Sequence, residues 1–143
     1  MTVSTASAIW EGGLKGGKGT FSATSGAFNG VAYSFATRFE GAKGSNPEEL
    51  LAAAHAACFS MALSAGLEKA GTPATRVQTT ASCAMEPVDG GRKITTMKLV
   101  TRGKVAGIDQ AAFQKAAEAA KDGCPVSGAF KGNLTIELDA KLE

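Results

Sequence analysis

Residues 46–71 read NPEELLAAAHAACFSMALSAGLEKAG, and the other predicted elements are arranged around this stretch. Asn46 suits the N-cap of a helix, and Pro47 suits its first position, where a missing N–H costs nothing. Glu49 stands where a capping box places an acidic side chain. Gly71 can take the left-handed conformation that ends a helix. The stretch therefore predicts one long helix between these two ends.

The apolar residues of this helix are spread around its axis. Its larger apolar side chains are Leu50, Leu51, Phe59, Met61, Leu63 and Leu67, and alanines fill most positions between them. A helix without a wide polar face must be covered by other structure. The run is almost long enough to cross a bilayer, but His55, Ser60 and Ser64 interrupt it and no second such run follows. We therefore predict a buried core helix and no membrane span.

The composition is that of a globular protein. The chain has 143 residues, of which 44% are hydrophobic and 20% charged, and one domain spanning residues 1–143 is predicted. The net charge of +2 is scattered and aromatic residues are few, so nucleic acid is not an expected partner. No charged and then apolar leader follows Met1, which favours a cytoplasmic location. In that compartment three cysteines predict redox or nucleophilic chemistry, or plain core packing, and no disulfide scaffold.

The remaining chain predicts strands on both sides of the long helix. Before it, residues 2–10, 19–25 and 31–39 favour a three-stranded meander. After it, alternation predicts a hairpin whose second strand, 93–104, slips in phase near Thr95, which indicates a bulge.

The end of the chain predicts two helices and one more strand. Asp109 caps an amphipathic helix, a short helix covers residues 124–130, and a closing strand ends the chain. The resulting order, β-β-β-α-β-β-α-β with the short helix aside, predicts an α+β fold with antiparallel sheets around the long helix.

The three thiols have different sequence surroundings. Cys83 lies on the apolar face of an alternating strand, which gives it an ordinary role as a small core residue. Cys58 lies within the apolar helix, where burial raises a thiol pKa, so reactivity there requires a nearby cation such as Arg38. Cys124 begins a helix in GCPVS, where partial positive charge favours a thiolate. For Cys58 and Cys124, burial as small core residues stays an equal alternative.

Three motifs carry a resemblance to a known family. They are TRFEG at residues 37–41, GSNPEELLAAAHAACFSMALS at residues 44–64 and GCPVS at residues 123–127. Through them the chain resembles the osmotically inducible protein C and organic hydroperoxide resistance family, and within it the OsmC branch. The resemblance extends over nearly the whole chain. It implies an intertwined homodimer of α+β subunits with two active sites at the interface.

The resemblance also implies residue roles. Matched position by position, the peroxidatic cysteine is Cys58, the resolving cysteine is Cys124, and the activating arginine is Arg38. The carboxylate that orients the arginine is Glu49, although the capping box competes for the same side chain. Cys83 matches no family motif.

Glu49 and Cys58 are nine residues apart, on opposite faces of a straight helix and about 13 Å apart along its axis. Either that helix bends or Arg38 and Glu49 come from the partner subunit, and the second arrangement is the better prediction.

The implied activity is that of a thiol-dependent peroxidase acting on organic hydroperoxides. A dithiol, from a dihydrolipoyl protein or a thioredoxin-like donor, reduces the Cys58–Cys124 disulfide after each turnover. No cofactor is implied, and one histidine without a Cys-x-x-Cys pair predicts no metal site. His55 is three residues from Cys58, but a core histidine more often satisfies a hydrogen bond than acts as a base.

Two other function classes stay open. A non-catalytic dimeric module that binds an apolar ligand would survive Cys58→Ser and leave hydroperoxide untouched. An acyl-transfer enzyme using Cys58 is disfavoured, because the sequence places no base and a second matched thiol is then superfluous.

Overall fold

The computed structural model describes all 143 residues, Met1–Glu143, and the α+β class is confirmed. The chain divides into two compact units, Met1–Pro47 and Glu48–Glu143. The elements are β1 (Ala6–Glu11), β2 (Lys18–Ala23), β3 (Val31–Tyr33), α1 (Phe35–Phe39), α2 (Pro47–Lys69), β4 (Ala74–Val88), β5 (Gly91–Val105), α3 (Gln110–Gly123), α4 (Pro125–Phe130) and β6 (Thr135–Leu142).

The N-terminal unit holds the predicted antiparallel meander, in the order β1-β2-β3. The prediction that its third strand continues to residue 39 is wrong, because α1 replaces the second half of that strand. Ser34 caps this short helix: its Oγ accepts from the Thr37 N–H, and the Thr37 hydroxyl accepts from the Ser34 N–H. This capping box stabilises a helical turn where the sequence pattern predicted a strand. Arg38 therefore lies on a helix.

The long helix α2 begins at Pro47 and ends at Lys69, as predicted, and Gly71 follows with a φ of 81°. One stripe of α2 is fully buried: His55, Phe59, Leu63 and Leu67. The opposite stripe is exposed, and Met61 retains 76% of its accessible surface. The prediction of a helix buried all round is therefore correct for one side only. By length and composition α2 could cross a membrane, a test that a soluble core helix also passes.

The C-terminal unit holds a second sheet in the order β4-β5-β6. β4 and β5 form an antiparallel hairpin, and Thr95 is the extra residue of a bulge between the pairs Ala84–Thr96 and Met85–Ile94, as predicted. The closing strand β6 runs parallel to β5, which corrects the expectation of a purely antiparallel sheet. The reason is the connection: α3 and α4 form a crossover, which parallel neighbours need.

The core of this unit lies between its helices and its sheet. Phe59 and Leu63 of α2 belong to this core together with Met97 and Leu99 of β5, and all four have no accessible surface. Phe113 of α3 completes the layer. The N-cap residue of α3 is Asp109, whose side chain accepts a hydrogen bond from the Ala112 N–H. Truncating a buried phenylalanine to alanine costs about 3–5 kcal/mol, so this layer fixes α2 and α3 firmly.

Gly103 of β5 is the position that admits the Phe113 ring. A Cβ atom on Gly103 would overlap a Phe113 ring carbon, closer than real side chains approach. The glycine therefore sets how near α3 packs to the sheet. At its far end α3 passes directly into α4, where Cys124 is the cap shared by the two helices.

Candidate active site

The thiols of Cys58 and Cys124 meet where α2 faces the start of α4. The Cys124 Sγ and the Cys58 Sγ share a hydrogen bond across 2.7 Å, and both cysteines are free thiols. Cys124 is buried, with 1% of its surface exposed, whereas Cys58 is half-buried. A disulfide bond is about 2.05 Å long, so only a small approach of the two sulfurs is needed once a hydroperoxide has oxidised one of them. The pairing of Cys58 with Cys124 was expected only from the family resemblance. The structure brings the two thiols together.

Burial and two neighbours, Cys124 and Val126, act on the Cys58 thiol. Burial raises its pKa, and the hydrogen bond and charge of Cys124 raise it further. The backbone N–H of Val126, in the first turn of α4, donates to the Cys58 sulfur and lowers the pKa, but the net direction is upward. The sequence predicted that burial within an apolar helix would raise the pKa of Cys58. The Val126 N–H was not predicted, because a backbone donor leaves no trace in residue type.

His55 lies one turn before Cys58 on α2 and is fully buried. Its Nε2 is 2.7 Å from the Oγ of Ser127, and its ring packs edge-on against Phe130 with 5.3 Å between the ring centroids. Burial lowers its pKa, which favours the neutral ring. The expected hydrogen bond of a core histidine is therefore confirmed. Its Nδ1, however, is buried without a hydrogen-bond partner.

Cys83 lies elsewhere in the same unit, on the half-buried face of β4. Burial raises the pKa of this thiol, and the negative charge of Glu48 raises it further. Both effects favour the protonated, unreactive form. The sequence-based expectation of a small structural residue agrees with these surroundings.

The two glutamates at the start of α2 differ in burial. Glu48 retains only 7% of its surface, whereas Glu49 is exposed. Glu48 is ten residues from Cys58, which places it about 80° away around the helix, compared with about 180° for Glu49. Glu48 was not among the predicted site residues, although this helical spacing was a signal for it. The role predicted for Glu49 stays a prediction.

Arg38 belongs to the N-terminal unit. It is exposed on α1, with its guanidinium carbon 5.2 Å from the centroid of the Phe39 ring. A cavity of about 220 Å³ opens beside it, with a mainly aromatic and apolar wall: Trp10, Leu14, Tyr33, Ser34, Phe35 and Phe39. This unit therefore presents a cation at the edge of an apolar cavity. The predicted action of Arg38 on Cys58 stays a prediction.

Comparison with known proteins gives one consistent result. The family model described as OsmC-like protein matches residues 40–139. Peroxiredoxin OsmC of Escherichia coli (strain K12) is 50% identical over 134 residues, which cover 94% of each chain. Organic hydroperoxide resistance protein OhrB of Bacillus subtilis (strain 168) is 33% identical over 103 residues, covering 71% of this chain and 74% of that protein.

A solved structure has the same fold as this chain. The crystal structure of an organic hydroperoxide resistance protein OsmC from Legionella pneumophila superimposes with a TM-score of 0.73 and covers 99% of each chain. Its sequence identity is 22%, so this likeness concerns the fold alone.

Proposed function

The chain belongs to the OsmC-like protein family, and from that premise we propose that it reduces organic hydroperoxides through Cys58 and Cys124. It is a cysteine-based peroxidase, similar to proteins named peroxiredoxin and organic hydroperoxide resistance protein. The observation that carries the residue assignment is the distance of 2.7 Å between the two sulfurs. Such a peroxidase uses a hydroperoxide as oxidant and a thiol compound as reductant.

The first step oxidises Cys58. Its thiolate attacks the distal oxygen of the hydroperoxide, so that the O–O bond breaks and an S–O bond forms. The alkoxide that leaves takes up a proton and departs as the alcohol. Because burial raises the pKa of Cys58, a cation must favour the thiolate, and Arg38 is the residue assigned to this role by the family motif. The same guanidinium stabilises the negative charge on the leaving oxygen.

The second step joins the two cysteines. Cys124 attacks the Cys58 sulfenic acid, the S–O bond breaks, and water leaves as the disulfide forms. An external dithiol then reduces the disulfide by thiol exchange, and a dihydrolipoyl protein or a thioredoxin-like protein suits this role. We propose a cytoplasmic location, since that compartment keeps such dithiols reduced.

The preferred substrate has a hydrocarbon body. The aromatic cavity beside Arg38 offers about 220 Å³ of mostly apolar space, which suits an alkyl or aryl hydroperoxide better than hydrogen peroxide. For the carboxylate that orients Arg38, the family motif assigns Glu49. The burial of Glu48 makes it the second candidate, because a buried carboxylate is held in place more firmly than an exposed one.

A homodimer is the proposed assembly. The exposed stripe of α2 consists of Ala53, Ala57, Met61 and Ala65, an apolar surface in the middle of the longest helix. Such a surface favours association with a second copy of the chain. Subunit exchange between two inactive variants, Cys58→Ser and Arg38→Met, tests whether the partner supplies Arg38. Cross-subunit sites regain up to about half the activity per heterodimer, whereas sites within one chain regain none.

The activity itself is tested by consumption of cumene hydroperoxide with several dithiols. We expect turnover with at least one dithiol and none after Cys58→Ser. The second candidate function, a module that binds an apolar ligand, predicts no consumption by either protein and unchanged ligand binding after Cys58→Ser. Consumption that survives Cys58→Ser would exclude the proposed mechanism.

A further inference from the structure

Two side-chain contacts join α2 to α4, and they lie one helical turn apart on both helices. Cys58 meets Cys124 through their sulfurs, and His55 meets Ser127 through Nε2 and Oγ, each across 2.7 Å. From the first contact to the second, the chain goes back three residues on α2 and forward three residues from Cys124 into α4. The two contacts therefore form neighbouring cross-links between the same pair of helices.

The His55–Ser127 contact is well fixed. His55 has no accessible surface and Ser127 has 4%, so water does not compete for this hydrogen bond. Because Nδ1 has no partner and a buried N–H without an acceptor is rarer than an unpaired acceptor, we place the ring proton on Nε2. His55 then donates to the Ser127 hydroxyl.

The helix that carries Cys124 needs such a contact. α4 has only six residues, and a helix of this length is not stable by itself. Its other anchors near the thiols are the Val126 N–H on the Cys58 sulfur and the T-shaped contact between the Phe130 and His55 rings. His55 is thus central to how α4 is held against α2.

We infer that His55, acting through Ser127, is a positioning residue that holds Cys124 within reach of the Cys58 sulfenic acid. This inference rests on the proposed function. In the step concerned, the Cys124 sulfur forms the S–S bond, the S–O bond of Cys58 breaks, and the thiol proton leaves with hydroxide as water. Correct positioning accelerates such a step because it replaces an encounter between two mobile groups. His55 and Ser127 take no part in the attack on hydroperoxide.

The test separates the two steps in a single turnover. Reduced protein is mixed rapidly with cumene hydroperoxide, and quenched samples are analysed by mass spectrometry for dimedone-trapped Cys58 sulfenic acid and for the Cys58–Cys124 disulfide. For Ser127→Ala and His55→Leu we expect disulfide formation to slow by about tenfold or more, with sulfenic acid formation changed by less than about twofold. Sulfenic acid should accumulate as a result.

Two further variants distinguish positioning from general packing. His55→Gln keeps an N–H donor near the Nε2 position and should restore most of the rate of disulfide formation. Ser60→Ala removes a different hydrogen bond of α2, to the Thr79 hydroxyl on β4, and should leave that rate unchanged. The double variant His55→Leu/Ser127→Ala should be no slower than either single variant, because both remove the same contact.

Disulfide formation at the wild-type rate in Ser127→Ala and His55→Leu would overturn the inference and leave the proposed function intact. An equal slowing in Ser60→Ala would also overturn it, since any loosening of α2 would then have the same effect. A wild-type protein that forms no Cys58 sulfenic acid would instead overturn the proposed function itself.

Discussion

Cys58 on α2 and Cys83 on β4 are both half-buried thiols in the same unit, and burial raises the pKa of each. Their neighbours differ. Cys83 lies near the carboxylate of Glu48, which opposes ionisation, whereas Cys58 has a second thiol at 2.7 Å and receives the Val126 N–H. Burial alone therefore does not distinguish a reactive thiol from a structural one. The groups around the sulfur make that distinction.

The largest expected difference between the two thiols is in turnover. Cys58→Ser should lower kcat/KM for cumene hydroperoxide by at least about a thousandfold, because the nucleophile is lost. Cys83→Ala should change it by less than about twofold. Steady-state kinetics with a dithiol measure both, and circular dichroism confirms the fold. A folded but inactive Cys83→Ala would remove the distinction between the two thiols.

Arg38 should act on one thiol and leave the other unchanged. Arg38→Met should slow turnover by about a hundredfold, the usual cost of losing one charge-stabilising group, and should raise the pH at which iodoacetamide labels Cys58. The labelling profile of Cys83 should stay the same. Arg38→Lys keeps the charge without the planar fork and should give an intermediate rate. If the pH dependence of Cys58 labelling were the same in wild type and Arg38→Met, a group other than Arg38 would have to activate Cys58.

Cys124→Ala should separate the first step from the second. Cys124 raises the pKa of Cys58, so its removal should move Cys58 labelling to lower pH. The thiolate fraction at neutral pH then rises, and the first oxidation should proceed as fast as in the wild type or a few times faster. Oxidised Cys58 should remain as sulfenic acid, visible as dimedone adduct. A Cys58 profile shifted to higher pH would contradict this account of the thiol pair.

The smallest expected effect concerns Cys83. The negative charge of Glu48 raises the pKa of Cys83, so Glu48→Gln should move Cys83 labelling to lower pH by less than about one pH unit. Glu49→Gln is the matched control, one residue away and exposed, and should leave Cys83 unchanged. Comparing the turnover of the two variants also shows which carboxylate serves Arg38. An unchanged Cys83 profile in Glu48→Gln would refute the assigned electrostatic contact.

Much of the fold was predictable because its signals are local. The bounds of α2 follow from Pro47 and Gly71, and the bulge at Thr95 follows from a phase slip in the apolar pattern. The strand predicted over residues 31–39 failed for a local reason too, since the Ser34 and Thr37 capping box favours a helix. The parallel direction of β6 could not be read from its alternation, which is the same in both directions.

The two thiols of the candidate site were predictable from the sequence, whereas the groups that contact and position them were not. Cys58 and Cys124 stand in motifs that the sequence shows. The Ser127 hydroxyl and the Val126 N–H belong to the same short motif, but their partners on α2 depend on how two distant helices pack. Glu48 was not predicted, because the family resemblance assigned the carboxylate role to its neighbour, Glu49. Burial, which separates the two, is a property of the fold and not of the sequence.

We propose that Cys58 and Cys124, whose sulfurs are in contact, are the working thiol pair. The most direct test treats reduced wild-type protein with one equivalent of cumene hydroperoxide and maps its disulfides by mass spectrometry of proteolytic peptides. We predict one linkage, Cys58–Cys124, with Cys83 remaining a free thiol. A linkage that includes Cys83, or a protein whose three thiols all stay reduced while hydroperoxide is consumed, would contradict the claim.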